Sequence, residues 1–517
     1  MHLSISYLLI LSFALLLWHC LRSIAAGRNR KRLARQNGCQ LPPRFPQWDK
    51  IFGIDVLLEN YKSFRDRTYL STMTKNFEMY GHTWTCTTMG ETSLATIHIE
   101  NIRTILVTKP HFFELGRTRR SVLGPILGHG LVTTDGSEWQ YLRRTSRRGF
   151  DPSRVNIEPY IQNMISQIPH DGSPVNLQPL FHNLLLYSAS SMFWGQYAID
   201  LLNYEHQSLS KQINASIPKA FEYTQQVMML GDRARFFQSS STERAINVVL
   251  GFILENTKQA FSLKSSSPKQ QHTAVGGVAE LFYDLFGADD FDAANIQTRQ
   301  MFFAAEGTIS ETLTQIFYLL SRNQRVFDKL RTEIISQLPN GAVPVASDLN
   351  TLAYLNACIK ETLRLYPTAP LNQRVALKDI VLPRGGGPDG LAPILVPAGT
   401  EISIPHYPLY RCKEIFGENV DEFVPERWFP IAGDETSEAW IRQLENFLPF
   451  SIGKRACPGR AIAQVIVQYA TVRLLQEFCE IHDASGGKPW EEVIGPALQS
   501  KHGTVVTARR QVSRIII

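Results

Sequence analysis

One ten-residue stretch constrains this chain more than any other: Phe450-Ser451-Ile452-Gly453-Lys454-Arg455-Ala456-Cys457-Pro458-Gly459. Gly453 and Gly459 permit tight turns and let a flat ligand approach the backbone closely. Pro458 has no N–H to donate and starts a helix well in its first turn, and residues 460–475 carry a helical pattern. Cys457 therefore sits just ahead of a helix N-terminus, where the dipole and the nearby Arg455 favour thiolate over thiol. A single thiolate in a loop suits a metal held mainly by something else, such as a haem iron. The plainer alternative is a buried structural cysteine, the common fate of a lone one.

The other cysteines sharpen this choice. There are seven, at 20, 39, 86, 358, 412, 457 and 479, with no CxxC among them. An odd count at wide spacing excludes a disulfide scaffold and a zinc ribbon and points to a reducing compartment. The 517 residues, 44% hydrophobic and 19% charged, suit a globular chain with a large core. Net charge is +6, yet residues 22–50 alone carry eight basic groups against Asp49, a net of +7, which leaves −1 for the rest. A nearly neutral body argues against a nucleic-acid partner.

Residues 1–21 hold no Lys, Arg, Asp or Glu, and Leu3 to Leu21 is mostly apolar. At about 1.5 Å per residue the run spans roughly 28 Å, enough to cross a hydrocarbon core. The basic cluster follows it, so the positive-inside rule predicts a single-pass anchor over 1–21 with a cytosolic body. A cleaved signal peptide ending near Ala25-Ala26-Gly27 is the alternative, but no charge precedes the apolar run. Residues 22–50 then read as a basic, proline-rich linker, with Leu41–Pro46 a stiff spacer. The body, 51–517, reads as helix-rich with a smaller β region. His82–Thr88 and Leu94–Ile99 around Gly90 form a hairpin pattern, helical patterns dominate to about residue 365, and Ser265–Gly277 reads as a loop. Short strands return at 371–405, and a last hairpin is expected near Ser500–Val506. Pro383-Arg384-Gly385-Gly386-Gly387-Pro388 lacks the GK[ST] ending of a phosphate loop and reads as a turn.

The pattern FxxGxRxCxG in the cysteine turn resembles the haem-binding signature of the cytochrome P450 family, and every fixed position matches. The resemblance implies a mainly α fold, a triangular helical body with haem b between two long helices, and Cys457 as the axial metal ligand. Phe450, Gly453, Arg455 and Gly459 would cradle the cofactor. Other segments follow in the family's order. Glu361-Thr362-Leu363-Arg364 resembles its ExxR helix, with both side chains on one face, and Pro425-Glu426-Arg427-Trp428 resembles the segment whose arginine closes a buried triad with that pair. Trp139-Gln140-Tyr141-Leu142-Arg143 resembles the WxxxR helix, with Ser137 and Gln140 as a capping box. Trp139, Arg143, Arg374 and Arg455 would contact the haem propionates, which guanidinium forks suit.

Met301–Glu311 resembles the oxygen-binding helix motif [AG]Gx[DE]T[TS]. The resemblance gives Thr308 the proton-delivering threonine role; its hydroxyl can bond the carbonyl of residue 304 and open the helix locally. Two positions depart from the family: Gly307 stands where an acid usually precedes the threonine, and Ile309 where a second hydroxyl is usual. Glu306 is then the nearest acid, about 100° round the helix from position 307, with Glu311 a further one.

Residues 365–374, 382–390 and 411–418 resemble the fungal branch that hydroxylates alkanes and fatty acids. The resemblance implies a monooxygenase at the endoplasmic reticulum membrane that inserts one oxygen atom of O2 into a C–H bond of a small, long-chain apolar substrate. NADPH electrons would come through a separate reductase flavoprotein, because the chain has no flavin or dinucleotide fingerprint. Fungal relatives also tailor secondary metabolites, polyketides and terpenoids, which is the alternative substrate class; a haem-thiolate isomerase or dehydratase is a third reading, and a non-catalytic haem binder a fourth. The substrate pocket is expected to draw on residues 115–127, 221–230, 368–373 and 500–503.

Overall fold

The computed structural model describes residues 2–169, 171–204, 208–230, 239–266, 277–287, 290–430 and 436–510. Most of the loop expected at 265–277 lies outside them, as do most side chains of the first 20 residues and those of 225–230. The described chain forms two compact units. One takes in Met1–Leu58, Lys75–Glu114 and Gln373–Pro405; the other takes in Glu59–Thr74, Leu115–Asn372 and His406–Ile517.

The first unit is built on a sheet. Helix α1 (His2–Gln36) runs through the basic cluster without a break. Among the described residues no helix is long and apolar enough to cross a membrane. The strands are β1 (Thr83–Thr88), β2 (Glu91–Thr96), β3 (Phe113–Glu114), β4 (Leu371–Ala376), β5 (Ile380–Gly386), β6 (Ala392–Val396) and β7 (Glu401–Pro405). Five of them form one sheet in the order β1-β2-β7-β4-β3. The expected first hairpin is present, closed by Met89 (φ 58) and Gly90 (φ 83), the double positive φ that a two-residue turn of this hand demands. The glycine run is the bent end of β5, which pairs antiparallel with β6. A Cβ at Gly385 (φ 112) would lie 2.6 Å from the Thr83 side chain, which leaves room only for glycine.

The proline-rich stretch at 41–46, expected as a stiff spacer, runs beside the sheet. It lies along β1: Thr85 donates to the Pro43 carbonyl at 2.9 Å, and Phe45 donates to the Thr85 carbonyl at 2.8 Å. Proline lacks a donor but keeps its acceptor, so it can line a sheet edge. Farther back, Arg30 on α1 pairs with Asp379 at 3.0 Å. The expected linker is therefore held against the unit along much of its length.

The second unit is helical. Five helices position the chemistry: α2 (Gly136–Thr145), α3 (Leu177–Trp194), α4 (Phe291–Leu320), α5 (Ala353–Leu365) and α6 (Arg460–Glu477). From Met301 onward α4 is buried on nearly every side, as a helix through the middle of a core must be. Ile309, Leu313, Ile316 and Phe317 of α4 meet Phe181, Leu184 and Leu185 of α3 and Ile466, Val467 and Ala470 of α6 in one cluster. Residues 500–506 do not form the expected hairpin. Leu498–Ser500 pairs with Glu492–Ile494, whereas Val505–Arg510 pairs with Phe478–Asp483 and Val175–Asn176. Gly503 marks the change of sheet: a Cβ there would lie 2.3 Å from the Asn176 side chain, whose Oδ1 accepts from Thr504.

Candidate active site

The cysteine loop is made by local constraints. Ser451 (φ 58) and Gly453 (φ 75) turn the chain, and a single 3₁₀ turn, Gly453–Arg455, follows. Cys457 donates its N–H to the Phe450 carbonyl at 2.8 Å, which closes the loop, and Ala463 donates to the Gly459 carbonyl to begin α6. Cys457 is exposed. A Cβ at Gly459 would sit 3.8 Å from Phe150 and 4.0 Å from the Cys457 sulfur, in ordinary contact with both. The crowded loop desolvates the thiol and pushes its pKa up; the Gly459 N–H, the Arg143 guanidinium and the Arg460 N–H pull it back. The cation beside the sulfur is thus Arg143, not Arg455 as the sequence alone suggested.

Arg455 turns the other way. Its Nη2 donates to Asp135 Oδ1 at 2.6 Å and to the Thr134 carbonyl at 2.9 Å, and its guanidinium lies 4.3 Å from the Trp139 ring centroid. Burial lowers its pKa, only partly offset by Asp135, to about 10. Asp135 also receives Arg120 at 2.8 Å and the Leu115 N–H. With its carboxylate so engaged it gives α2 no side-chain cap, and Ser137 lies inside the helix instead of capping it. Arg143 donates to the Ala456 carbonyl at 3.1 Å. Trp139, Arg143 and Arg455 thus come together against the cysteine loop. Arg374 lies in the first unit, buried in β4, and donates to the Gln373 carbonyl at 2.6 Å.

On α4 the Thr308 hydroxyl donates to the Ala304 carbonyl at 2.5 Å, the bond expected of it. Ala304 is exposed and Ala305 and Thr308 are half-buried, although their neighbours on this helix are buried. Small residues with accessible surface in the middle of a core helix leave room for a flat group. Gly307 is not required by packing, since a Cβ there would meet nothing within 4 Å. Glu306 is fully buried and points away from Thr308: its Oε1 lies 2.7 Å from His182 Nδ1 on α3. Sequence reasoning missed His182. Its one signal was a histidine inside the apolar run 177–194.

Glu361 and Arg364 on α5 are both fully buried. Glu361 accepts from Arg364 Nε and Nη2, each at 2.9 Å, from Arg427 Nε at 2.8 Å, from Trp428 Nε1 at 3.0 Å and from the Val424 N–H. Arg364 spends its remaining donors on the carbonyls of Tyr410, Val420 and Glu422. This is the triad expected from residues 361, 364 and 427.

A family model described as Cytochrome P450 matches residues 43–503. The chain is 32% identical to the cytochrome P450 monooxygenase himC of Aspergillus japonicus, over 94% of this chain and 86% of that one. It is 29% identical to the cytochrome P450 monooxygenase fsdH of Fusarium heterosporum, over 96% and 88%, and 31% identical to cytochrome P450 52C1 of Candida tropicalis, over 80% and 82%. The chain belongs to the cytochrome P450 family and is a P450 monooxygenase. Membership implies haem with a cysteine thiolate ligand.

Proposed function

We propose that Cys457 is that ligand and that the enzyme hydroxylates a long-chain apolar substrate, an alkane, fatty acid or alkyl-chain compound, with electrons from NADPH through a separate reductase. The observation that carries the ligand assignment is the exposed Cys457 thiol facing the Gly459 and Arg460 N–H groups and Arg143. Burial raises the Cys412 thiol as well, but there the neighbouring Glu414 carboxylate adds to it and the Glu414 and Ile415 N–H groups do not offset the two, so the thiol is pushed up to about 11, which disfavours the thiolate a metal needs.

Haem bound through a thiolate supplies the oxygen-activating chemistry. The chain's own residues bind and orient. Trp139, Arg143 and Arg455 offer an indole N–H and two guanidinium forks to the cofactor's carboxylates. Ala304 and Ala305 keep the face of α4 low enough for the cofactor and a substrate chain. The Thr308 hydroxyl can hold and pass a proton at Oγ1, with the Ala304 carbonyl as its resting acceptor. The substrate class rests on the resemblance of residues 365–374, 382–390 and 411–418 to the alkane- and fatty-acid-hydroxylating branch. A second reading, tailoring of a secondary metabolite, is favoured by Gly307, which takes the usual acid out of the oxygen helix. Mass spectrometry of products after co-expression with a fungal reductase, offered fatty acids and a metabolite extract, decides between them.

We place the enzyme in the endoplasmic reticulum membrane, anchored by residues 1–21, with its body in the cytosol. Deleting residues 1–27 is expected to release only part of the protein on carbonate extraction, because an apolar substrate entrance also favours the bilayer. Asn214, within the sequon Asn214-Ala215-Ser216, is tied to Asn183 at 2.7 Å; a glycan at Asn214 in the full-length protein would overturn the topology.

The reductase is proposed to dock where Arg144, Arg147, Arg148, Lys454 and Arg460 are exposed, beside the cysteine loop that Arg143 contacts. The helix ends at Thr145 and tightens into a 3₁₀ turn over Ser146–Phe150. Arg144→Glu with Arg148→Glu is expected to slow electron delivery on the order of tenfold at low salt. Haem content and peroxide-driven turnover should be spared. A wild-type reduction rate across a salt series would exclude this face.

A further inference from the structure

Helix α4 carries two acidic side chains that never reach solvent. Glu306 and Glu311 are fully buried, and both turn to His182 on α3. Glu306 Oε1 lies 2.7 Å from Nδ1 and Glu311 Oε1 lies 2.9 Å from Nε2. Set between two carboxylates, the ring satisfies both only by donating from both nitrogens, as an imidazolium. Burial by itself would lower the pKa of His182; the Glu306 and then the Glu311 carboxylate outweigh it and raise the value to about 10. The remaining group on the ring is Ser310 Oγ, 3.2 Å from Nδ1. Gln178 Nε2 supports Glu311 from α3, donating to both its oxygens at 3.0 and 3.1 Å. The other helices packed on α3, at 158–166, 196–204, 208–230, 240–266 and 278–286, give the ring no partner among the described residues.

The clamp grips α4 where the helix needs it. Thr308, Ser310, Thr312 and Thr314 each bond back to the carbonyl four residues earlier, at 2.5, 2.7, 2.8 and 2.9 Å. Such back-bonds bend helices, and four in succession leave the local path to be fixed by neighbours. Glu306 lies about 200° round the helix from Thr308, so the clamp holds the back of the turn whose front carries the threonine.

We propose that His182 is a positioning residue: bridged between Glu306 and Glu311, it fixes the path of α4 through this hydroxyl-rich turn and so sets the placement of Thr308. Glu306 is committed to this bridge and does not serve Thr308 as its acid. The part that concerns Thr308 rests on the monooxygenase reading; the bridge does not.

The test uses full-length, haem-loaded protein as wild type, His182→Gln and Glu311→Gln. The infrared C–O stretch of the reduced carbon monoxide complex reports the field of the helix over the haem. It is expected to shift or split in both variants while haem content stays at the wild-type level. The second readout is the thermal midpoint against pH. A folded-state pKa raised from 6.5 to about 10 gives stability that is complete below about 6.5 and lost as pH climbs through about 10. The wild-type midpoint should therefore fall across that window, the Glu311→Gln midpoint should fall over a narrower one, and the His182→Gln midpoint should lack this component. A wild-type stretch in both variants overturns the positioning role. A His182→Gln midpoint that falls as steeply as the wild type's overturns the bridge. Failure of the proposed thiolate ligation looks different: the wild type itself would then lack a thiolate-type carbon monoxide band, with the pH dependence unaffected.

Discussion

Cys457→Ala is expected to abolish the red-shifted carbon monoxide band that thiolate ligation gives reduced haem, and Cys457→Ser to abolish it as well. The expected effect is complete loss, because no other described thiol shares this set of neighbours. Cys358 is buried, and burial followed by the Glu333, Glu426 and Glu361 carboxylates holds its thiol well above the ordinary range. Cys412 faces Glu414, and Cys86 is held up by burial despite the Ser93 hydroxyl beside it. Among Cys86, Cys358, Cys412 and Cys457, only the last has two backbone N–H groups and a guanidinium acting together against desolvation without a carboxylate opposing them. Single replacements of Cys39, Cys86, Cys358, Cys412 and Cys479 should keep the band. A band retained in Cys457→Ala, or lost in any of those five, would move the ligand elsewhere.

What could be read from the sequence follows from how local each constraint is. The cysteine loop was legible because its geometry is set within ten residues, by Ser451 and Gly453 in the left-handed region and by the Cys457–Phe450 bond. The Glu361–Arg364 pair was legible because i, i+3 spacing puts both on one face, and its third member because a short motif marks Arg427. Partners distant in sequence were not. Glu306 could be named from the helix, but its direction depends on His182, 124 residues away, and a lone histidine in an apolar helix carries no mark of its partner. Arg455 shows the same limit. Its place beside the cysteine suggested that it would stabilise the thiolate, yet Asp135, 320 residues away, holds it, and Arg143 takes the position near sulfur. The stretch at 41–46 belongs to the same group: its prolines mark it as stiff, but nothing local marks Thr85 as the residue that pairs with it.

Glu361→Ala or Arg364→Ala is expected to cost folded, haem-loaded protein and not merely turnover. Either change strands a fully buried charge, at about 3–5 kcal/mol, a large part of the stability of an ordinary protein. The loss should reach the cysteine loop along a traceable route. Arg364 Nη1 holds the Tyr410 carbonyl at 2.9 Å, and the Tyr410 hydroxyl accepts from the Leu448 N–H at 2.8 Å. The Leu448 carbonyl accepts from Ser451, and the Phe450 carbonyl accepts from Cys457. On the other side Trp428, bonded to Glu361, lies against Phe447 with ring centroids 4.4 Å apart. Arg364→Lys separates charge from shape: it keeps the cation but cannot make five donor contacts from one ammonium, so it should lose most of the haem too. Arg427 is 7% exposed and its other bonds are to the carbonyls of Phe416 and Asn419 and the Asn419 side chain, so Arg427→Ala should be the mildest of the set. Haem per polypeptide and the thermal midpoint measure all four. A soluble Arg364→Ala protein with full haem and only a slow rate would show that the triad acts in the chemistry and not in holding the loop.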